Sequence, residues 1–112
     1  VMTSSAKRAR LTAELVMDSC GYEGEIETNR ELYLAAAEDI AEVISTVDDN
    51  VDILMLVGHN PGMEDLIYEL SGDLHAMPTC AVAEFVLSIS SWREIDLNGE
   101  AILVNLWVPR QL

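Results

Sequence analysis

The sequence predicts a single α/β domain built on a mostly parallel sheet. Three observations carry this. Residues 51–58, VDILMLVG, form an apolar run with one charge, Asp52. Such a run marks a strand covered on both faces, as in a parallel sheet. It passes directly into a helix over 60–71, and the same strand–turn–helix order appears at residues 1–21. Two further apolar strands, 81–88 and 101–108, lie close together near the end, so an antiparallel edge is expected to join the parallel part.

In chain order, Val1, Met2 and Thr3 read as the end of a strand whose beginning lies upstream. Ser4 or Ser5 is the expected N-cap of the first helix, with Ala9, Thr12, Ala13, Val16 and Cys20 on its inward face. Gly21 suits the left-handed residue that ends it. Residues 22–26 suit a loop or short extended piece, and 29–34 a second connection. Ala36, Ile40, Val43, Ile44 and Val47 mark the next helix, closed by Asp48, Asp49 and Asn50. In the central unit Asn60 is the expected N-cap and Pro61 the first helical residue, with Glu64 and Asp65 at the positive end. Met63, Leu66, Ile67 and Leu70 give this helix its inward face. Residues 72–79 form a loop with His75 and Pro78, 90–95 a turn or short helix carrying Trp92, and Asn98-Gly99 a turn.

His59 therefore stands at the carboxyl end of a strand, beside free backbone N–H groups, where open α/β sheets and helix N-termini take up anions. A lone histidine in such a place more often serves packing than catalysis. Lys7, Arg8 and Arg10 are three of only six basic residues, crowded into the first turn of a helix against its dipole. Two roles are open to them. Guanidinium forks match phosphate oxygens, and equally a solvated face could pair with carboxylates such as Glu14.

Composition narrows the classes of function. A chain of 112 residues, half of them hydrophobic, forms one domain with a real core. A net charge of −14 argues against nucleic acid and anionic membrane surfaces as partners. Cys20 and Cys80 form no metal, redox or disulfide pattern, which favours a reducing compartment. No uncharged apolar run approaches the roughly 18 residues of a membrane span, and no signal peptide is evident. A soluble, cytoplasmic protein is expected. His59 and His75 find no ligands to complete a zinc pattern, and the phosphate-loop, dinucleotide and nucleophile-elbow motifs are absent. Asp48, Asp49, Asn50 and Asp52 lack the glycine and terminal glutamate of a calcium loop and suit a solvated turn. Tyr33, Trp92 and Trp107 suit packing rather than base stacking.

Three stretches taken together resemble a known family. Residues 4–14, SSAKRARLTAE, then Val57-Gly58-His59-Asn60-Pro61, then the ending Val108-Pro109-Arg110-Gln111-Leu112 are similar to the SixA-type phosphohistidine phosphatases of the histidine phosphatase superfamily. Met77-Pro78-Thr79 and the Ser91-Trp92-Arg93 turn fall in the family's order as well. The resemblance implies the phosphoglycerate-mutase-like fold, a three-layer α/β/α sandwich. It implies that Arg8, with Ser4, Ala9 and Thr12 matching around it, holds a phosphoryl group. It also implies that His59 donates to phosphoryl oxygens and stabilises charge in the transition state. Lys7, Arg10 and His75 gain no role from it.

One departure bears on mechanism. The family's R-H-G tripeptide, which carries the nucleophilic histidine and a first phosphate-binding arginine, does not occur in these residues. The expectation is that this first strand–helix unit lies in an N-terminal portion outside the sequence. The implied reaction needs no metal or cofactor: a histidine nitrogen attacks phosphorus, and water then hydrolyses the phosphohistidine enzyme. The implied partner is a phosphohistidine-bearing protein or a small phosphate ester. An ester would need a carboxylic acid to protonate its leaving group, and Glu31, Glu38 and Asp39 lie in the corresponding region without a motif to single one out. The alternative is a non-catalytic phosphate-binding or protein-interaction domain.

Overall fold

Parallel strands need a crossover long enough to return the chain, and both crossovers of the central sheet contain a helix. The computed structural model describes residues 1–21, 24–78, 81–98 and 101–107. Strand β1 (Met2–Ser4) is followed by helix α1 (Lys7–Cys20) and by β2 (Glu27–Asn29). A 3₁₀ turn at Arg30–Leu32 and helix α2 (Ala37–Ser45) then lead to β3 (Leu56–Val57). The order is β2-β1-β3, all parallel, with Met2 paired to Glu27 on one side and to Leu56 on the other. After α3 (Gly62–Ser71) come β4 (Val82–Val86), a 3₁₀ turn at Trp92–Glu94 and β5 (Ile102–Trp107).

The α/β class holds, and the arrangement differs from expectation in two ways. First, β4 and β5 pair antiparallel as a two-stranded sheet of their own, instead of extending the parallel one. Second, the run 51–58 contributes only two residues to the sheet, as an edge strand. Its residues 54–58 are half-buried and Ile53 is 88% exposed, so the run is not covered on both faces. Apolar composition reports a tendency to be buried, and it cannot say whether a strand has a neighbour on each side. Strand β2 was not foreseen, because its Glu-Thr-Asn residues carry no apolar signal.

Helix α1 also turns by part of a residue from its expected face. Ala9, Ala13 and Met17 are buried, while Val16 and Cys20 are exposed. At about 1.5 Å per residue the helix is about 21 Å long, whereas a three-residue strand spans about 10 Å. The buried row is Ala9, Ala13 and Met17, spaced by four, a narrower stripe than the pattern predicts. Ala9 and Ala13 keep the approach close. Gly21 ends the helix at φ +75°, as its position predicts. Residues 22–23, 79–80, 99–100 and 108–112 lie outside the described residues, and with them parts of the predicted loop, turn and ending.

The main core joins Met2 to Leu32, Ala37, Ile40, Val43, Ile44, Leu66 and Leu70. Helices α2 and α3 pack together on it, and Phe85, Leu87, Trp92 and Leu97 close its margins. Met63 is half-buried, and Leu66, Ile67 and Leu70 form the inward face that the pattern predicts. Ala101 N–H donates to the Leu70 carbonyl at 2.8 Å, so the antiparallel pair satisfies one of the carbonyls left free at the end of α3. Asp49 has more than a solvated role. Its carboxylate accepts from Ser91 Oγ at 2.8 Å and from Trp92 N at 3.2 Å, while Trp92 Nε1 donates to the Val51 carbonyl at 2.9 Å. Among the described residues, no helix is long and apolar enough to cross a membrane.

The start of α3 lies against residues 34–36. A Cβ on Gly62 would run into the Ala35 carbonyl oxygen, which is fixed backbone, whereas one on Gly58 would meet the flexible Met63 thioether at 3.1 Å. Gly62→Ala should therefore destabilise the fold by about 1–3 kcal/mol and Gly58→Ala by clearly less. Urea unfolding of the two variants measures this, and equal losses would contradict the close approach.

Candidate functional site

Because β1 and β3 run parallel as neighbours, both chains leave the sheet at the same edge. Ser4 ends β1 and His59 follows β3 by two residues. Their side chains meet, with His59 Nε2 and Ser4 Oγ 2.7 Å apart. Ser4 Oγ also accepts the Ala6 N–H at 3.3 Å. Ala6, rather than Ser4 or Ser5, is the N-cap of α1 and has no side-chain cap bond, because Ser4 still belongs to β1. Ser4 is fully buried and His59 half-buried. The Tyr33 ring meets the His59 ring edge to face, with centroids 5.9 Å apart and planes at 73°.

A serine hydroxyl on a histidine nitrogen is also the arrangement of a nucleophile and its base. Here the serine has no exposed surface through which a substrate could reach it, and among the described residues no carboxylate orients the other histidine nitrogen. The contact positions the ring.

A second set of bonds secures the loop opposite. Asn60 Nδ2 donates to the Met77 carbonyl at 2.6 Å, and Met77 N–H donates to Glu64 Oε2, also at 2.6 Å. Asn60 Oδ1 in turn accepts the Glu64 N–H at 3.2 Å. Helix α3 begins at Gly62, so Asn60 caps it from one position further out than expected, and Glu64 grips a loop rather than only meeting the helix dipole. Leu34 adopts φ +50°, a left-handed conformation that is rare for a bulky residue and costs energy. Residues 34–36 and 60–62, with Asp65, line a cleft of about 180 Å³. A larger hollow of about 510 Å³ lies along the far half of α1, between Leu11, Leu15, Met17 and Ile26. Its polar groups are the Glu14 and Asp18 carboxylates, which suit no anion.

The structure thus brings His59 to the β1 edge and places Arg8 at the same edge, on the second residue of α1. Arg8 is exposed and forms no ion pair or hydrogen bond among the described residues. Lys7 and Arg10 are exposed beside it. His75 is half-buried in the loop that Asn60 and Glu64 hold. Of the three carboxylates considered as acids, Asp39 accepts the Ala36 N–H at 3.4 Å as a cap of α2, and Glu31 and Glu38 are exposed. Tyr33 carried no sequence signal for the site. Ser4 and Asn60 were legible only as caps, because their site contacts join residues 55 and 17 positions apart.

These features define an α/β domain with a histidine and a helix N-terminus sharing the carboxyl edge of its parallel sheet. No family model matches the chain, and no solved structure matches it. Two relatives do: the uncharacterized protein MT1313 of Mycobacterium tuberculosis strain CDC 1551 / Oshkosh and the uncharacterized protein Rv1276c of strain ATCC 25618 / H37Rv. Each is 33% identical over 122 residues, covering 98% of this chain and 73% of the relative. The chain belongs to the family of these mycobacterial proteins.

Removing the Glu64 carboxylate by Glu64→Ala should free the Met77 amide. Its protection against hydrogen exchange should fall by about 1–3 kcal/mol, the cost of an unpaired group bonded to a carboxylate. Glu64→Gln, which keeps an acceptor oxygen, should retain more of it. A Met77 amide equally protected in both variants would show that Glu64 does not hold the loop.

Proposed function

We propose that this domain provides the phosphoryl-binding half of a SixA-type phosphohistidine phosphatase, with His59 and Arg8 as its anion-holding residues. The observation that carries the proposal is the parallel pairing of β1 with β3. It joins two strand–turn–helix units, matched separately in the sequence, at one edge through the 2.7 Å contact between His59 and Ser4. Arg8 is unpaired among the described residues of a chain with net charge −14, as befits a cation kept for an anionic ligand.

The finer fold, a phosphoglycerate-mutase-like three-layer sandwich, belongs to the same proposal. Met2 joins the α2–α3 core, while Thr3, which points the other way from the strand, is fully buried. The buried residues of α1 lie outside that core, and α1 packs on β1 and β3. This pattern supports helices on both faces of the sheet.

In the proposed reaction a histidine nitrogen attacks phosphorus as the bond to the leaving imidazole breaks. Water then attacks the phosphohistidine enzyme and releases phosphate. Arg8 and His59 would hold the non-bridging oxygens throughout, the electrostatic part of the catalysis. The nucleophile is not among these residues, since no R-H-G occurs in them. Turnover is accordingly assigned to a chain that supplies it, and these residues by themselves are assigned binding. The same absence favours the second reading, a non-catalytic phosphate-binding or protein-interaction domain.

The full-length gene product should hydrolyse a phosphohistidine peptide or an aryl phosphate, and His59→Ala or Arg8→Ala should lower kcat roughly 10²–10³-fold. Lack of turnover, or turnover that neither change reduces, would overturn the phosphatase proposal. Phosphate or vanadate should bind the present chain near His59, and Arg8→Ala should abolish that binding. Binding that is unchanged by Arg8→Ala would remove the shared pocket.

A further inference from the structure

We infer that Ser4 sets the tautomer of His59, keeping the proton of the neutral ring on Nδ1 and presenting that N–H as the ring's contact for a ligand. Ser4 is a positioning residue in this account, acting through the ring rather than touching the ligand.

The inference follows from counting hydrogens in a place that solvent does not reach. A serine hydroxyl has one hydrogen to give and two sites at which to accept. Ser4 is 0% exposed, and the Ala6 N–H already fills one accepting site at 3.3 Å. The Ser4 hydrogen still needs an acceptor, since buried polar groups are paired almost without exception. Among the described residues, the remaining partner of Ser4 Oγ is His59 Nε2 at 2.7 Å. If the hydroxyl donates to Nε2, the Ser4 hydrogen, the Ala6 N–H and His59 Nε2 are all paired. If Nε2 carried the proton and donated to Ser4, both accepting sites would be filled and the hydroxyl hydrogen would be buried without a partner. The first arrangement wins. It reverses the preference of an unconstrained histidine, whose neutral ring favours the proton on Nε2.

The other side of the ring agrees. Among the described residues His59 Nδ1 has no hydrogen-bond partner, and the ring is half-buried, with the Tyr33 ring against it. The Nδ1–H is therefore a donor that the protein does not use. A ligand that takes it must offer an acceptor oxygen, and the phosphoryl oxygen as that acceptor rests on the function proposed above. The tautomer does not rest on it.

Long-range ¹H–¹⁵N correlation spectra of the ¹⁵N-labelled chain, at a pH where the rings are neutral, test this directly. The two histidines are assigned by a His75→Gln variant. In the wild type, His59 Nδ1 should show the shift of a protonated ring nitrogen and Nε2 that of an unprotonated one. In Ser4→Ala the proton should move to Nε2, and Ser4→Thr should restore the wild-type pattern. A wild-type His59 protonated on Nε2, or a pattern that Ser4→Ala leaves unchanged, would overturn the inference. The wild-type spectrum decides even if a variant fails to fold. Inorganic phosphate added to the same sample should then move the Nδ1 resonance. If the tautomer is as inferred and phosphate leaves Nδ1 unmoved, the assignment of Ser4 stands and the phosphoryl role of His59 falls.

Discussion

The parallel register between β1 and β3 is the constraint on which the rest depends. Met2 pairs with Leu56 and Thr3 with Val57, so the next residues along, Ser4 and Gly58, leave the ladder together. One residue further, His59 reaches the Ser4 hydroxyl. In a parallel pair the carboxyl ends share an edge, so the turns after both strands, and the helix starts that follow, are gathered there. A slip of one residue would turn Met2 out of the core and take Ser4 from His59 in a single step.

So short a ladder cannot hold that register by its own hydrogen bonds. Two paired residues of β3 offer little, and among the described residues the edge position of β3 leaves one side without a neighbouring strand. The register is held from below, by Met2 in the core with α2 and α3, and from above, by the bonds around the turn after β3. Helix α3 receives Asn60 and Glu64 at its start, and the antiparallel pair takes up Leu70 at its end. The missing Cβ of Gly62 lets residues 34–36 come against the helix, and the left-handed Leu34 accepts local strain to bring them there. The site edge is thus fixed by packing a few residues away from it.

Much of the architecture was legible because each signal was local. Apolar periodicity at Leu66, Ile67 and Leu70, the glycine after Cys20, and the apolar runs that hold β4 and β5 all act within a few residues, so single stretches reveal them. The misreadings came where a local pattern had to stand for a neighbour. The apolar run 51–58 has the composition of a central strand but lies at an edge with Ile53 in solvent. The polar β2 pairs fully with β1 and gave no sign of it. The buried face of α1 is the row Ala9, Ala13 and Met17, with Val16 and Cys20 in solvent, a choice made by what the helix packs against rather than by its own pattern.

The site divides in the same way. His59 at a strand end, the basic turn around Arg8 and the capping role of Asn60 follow from the sequence by itself, since strand ends, helix starts and caps are properties of short segments, whereas Ser4, expected as a cap, ends β1 and leaves the N-cap of α1 to Ala6. Only the tertiary structure decided that Ser4 meets His59, that Tyr33 lies against its ring, and that Asn60 and Glu64 hold Met77. Each of those contacts joins side chains that chain proximity does not bring together. Their partners are chosen by strand order and by the packing of α3, which no window of sequence contains.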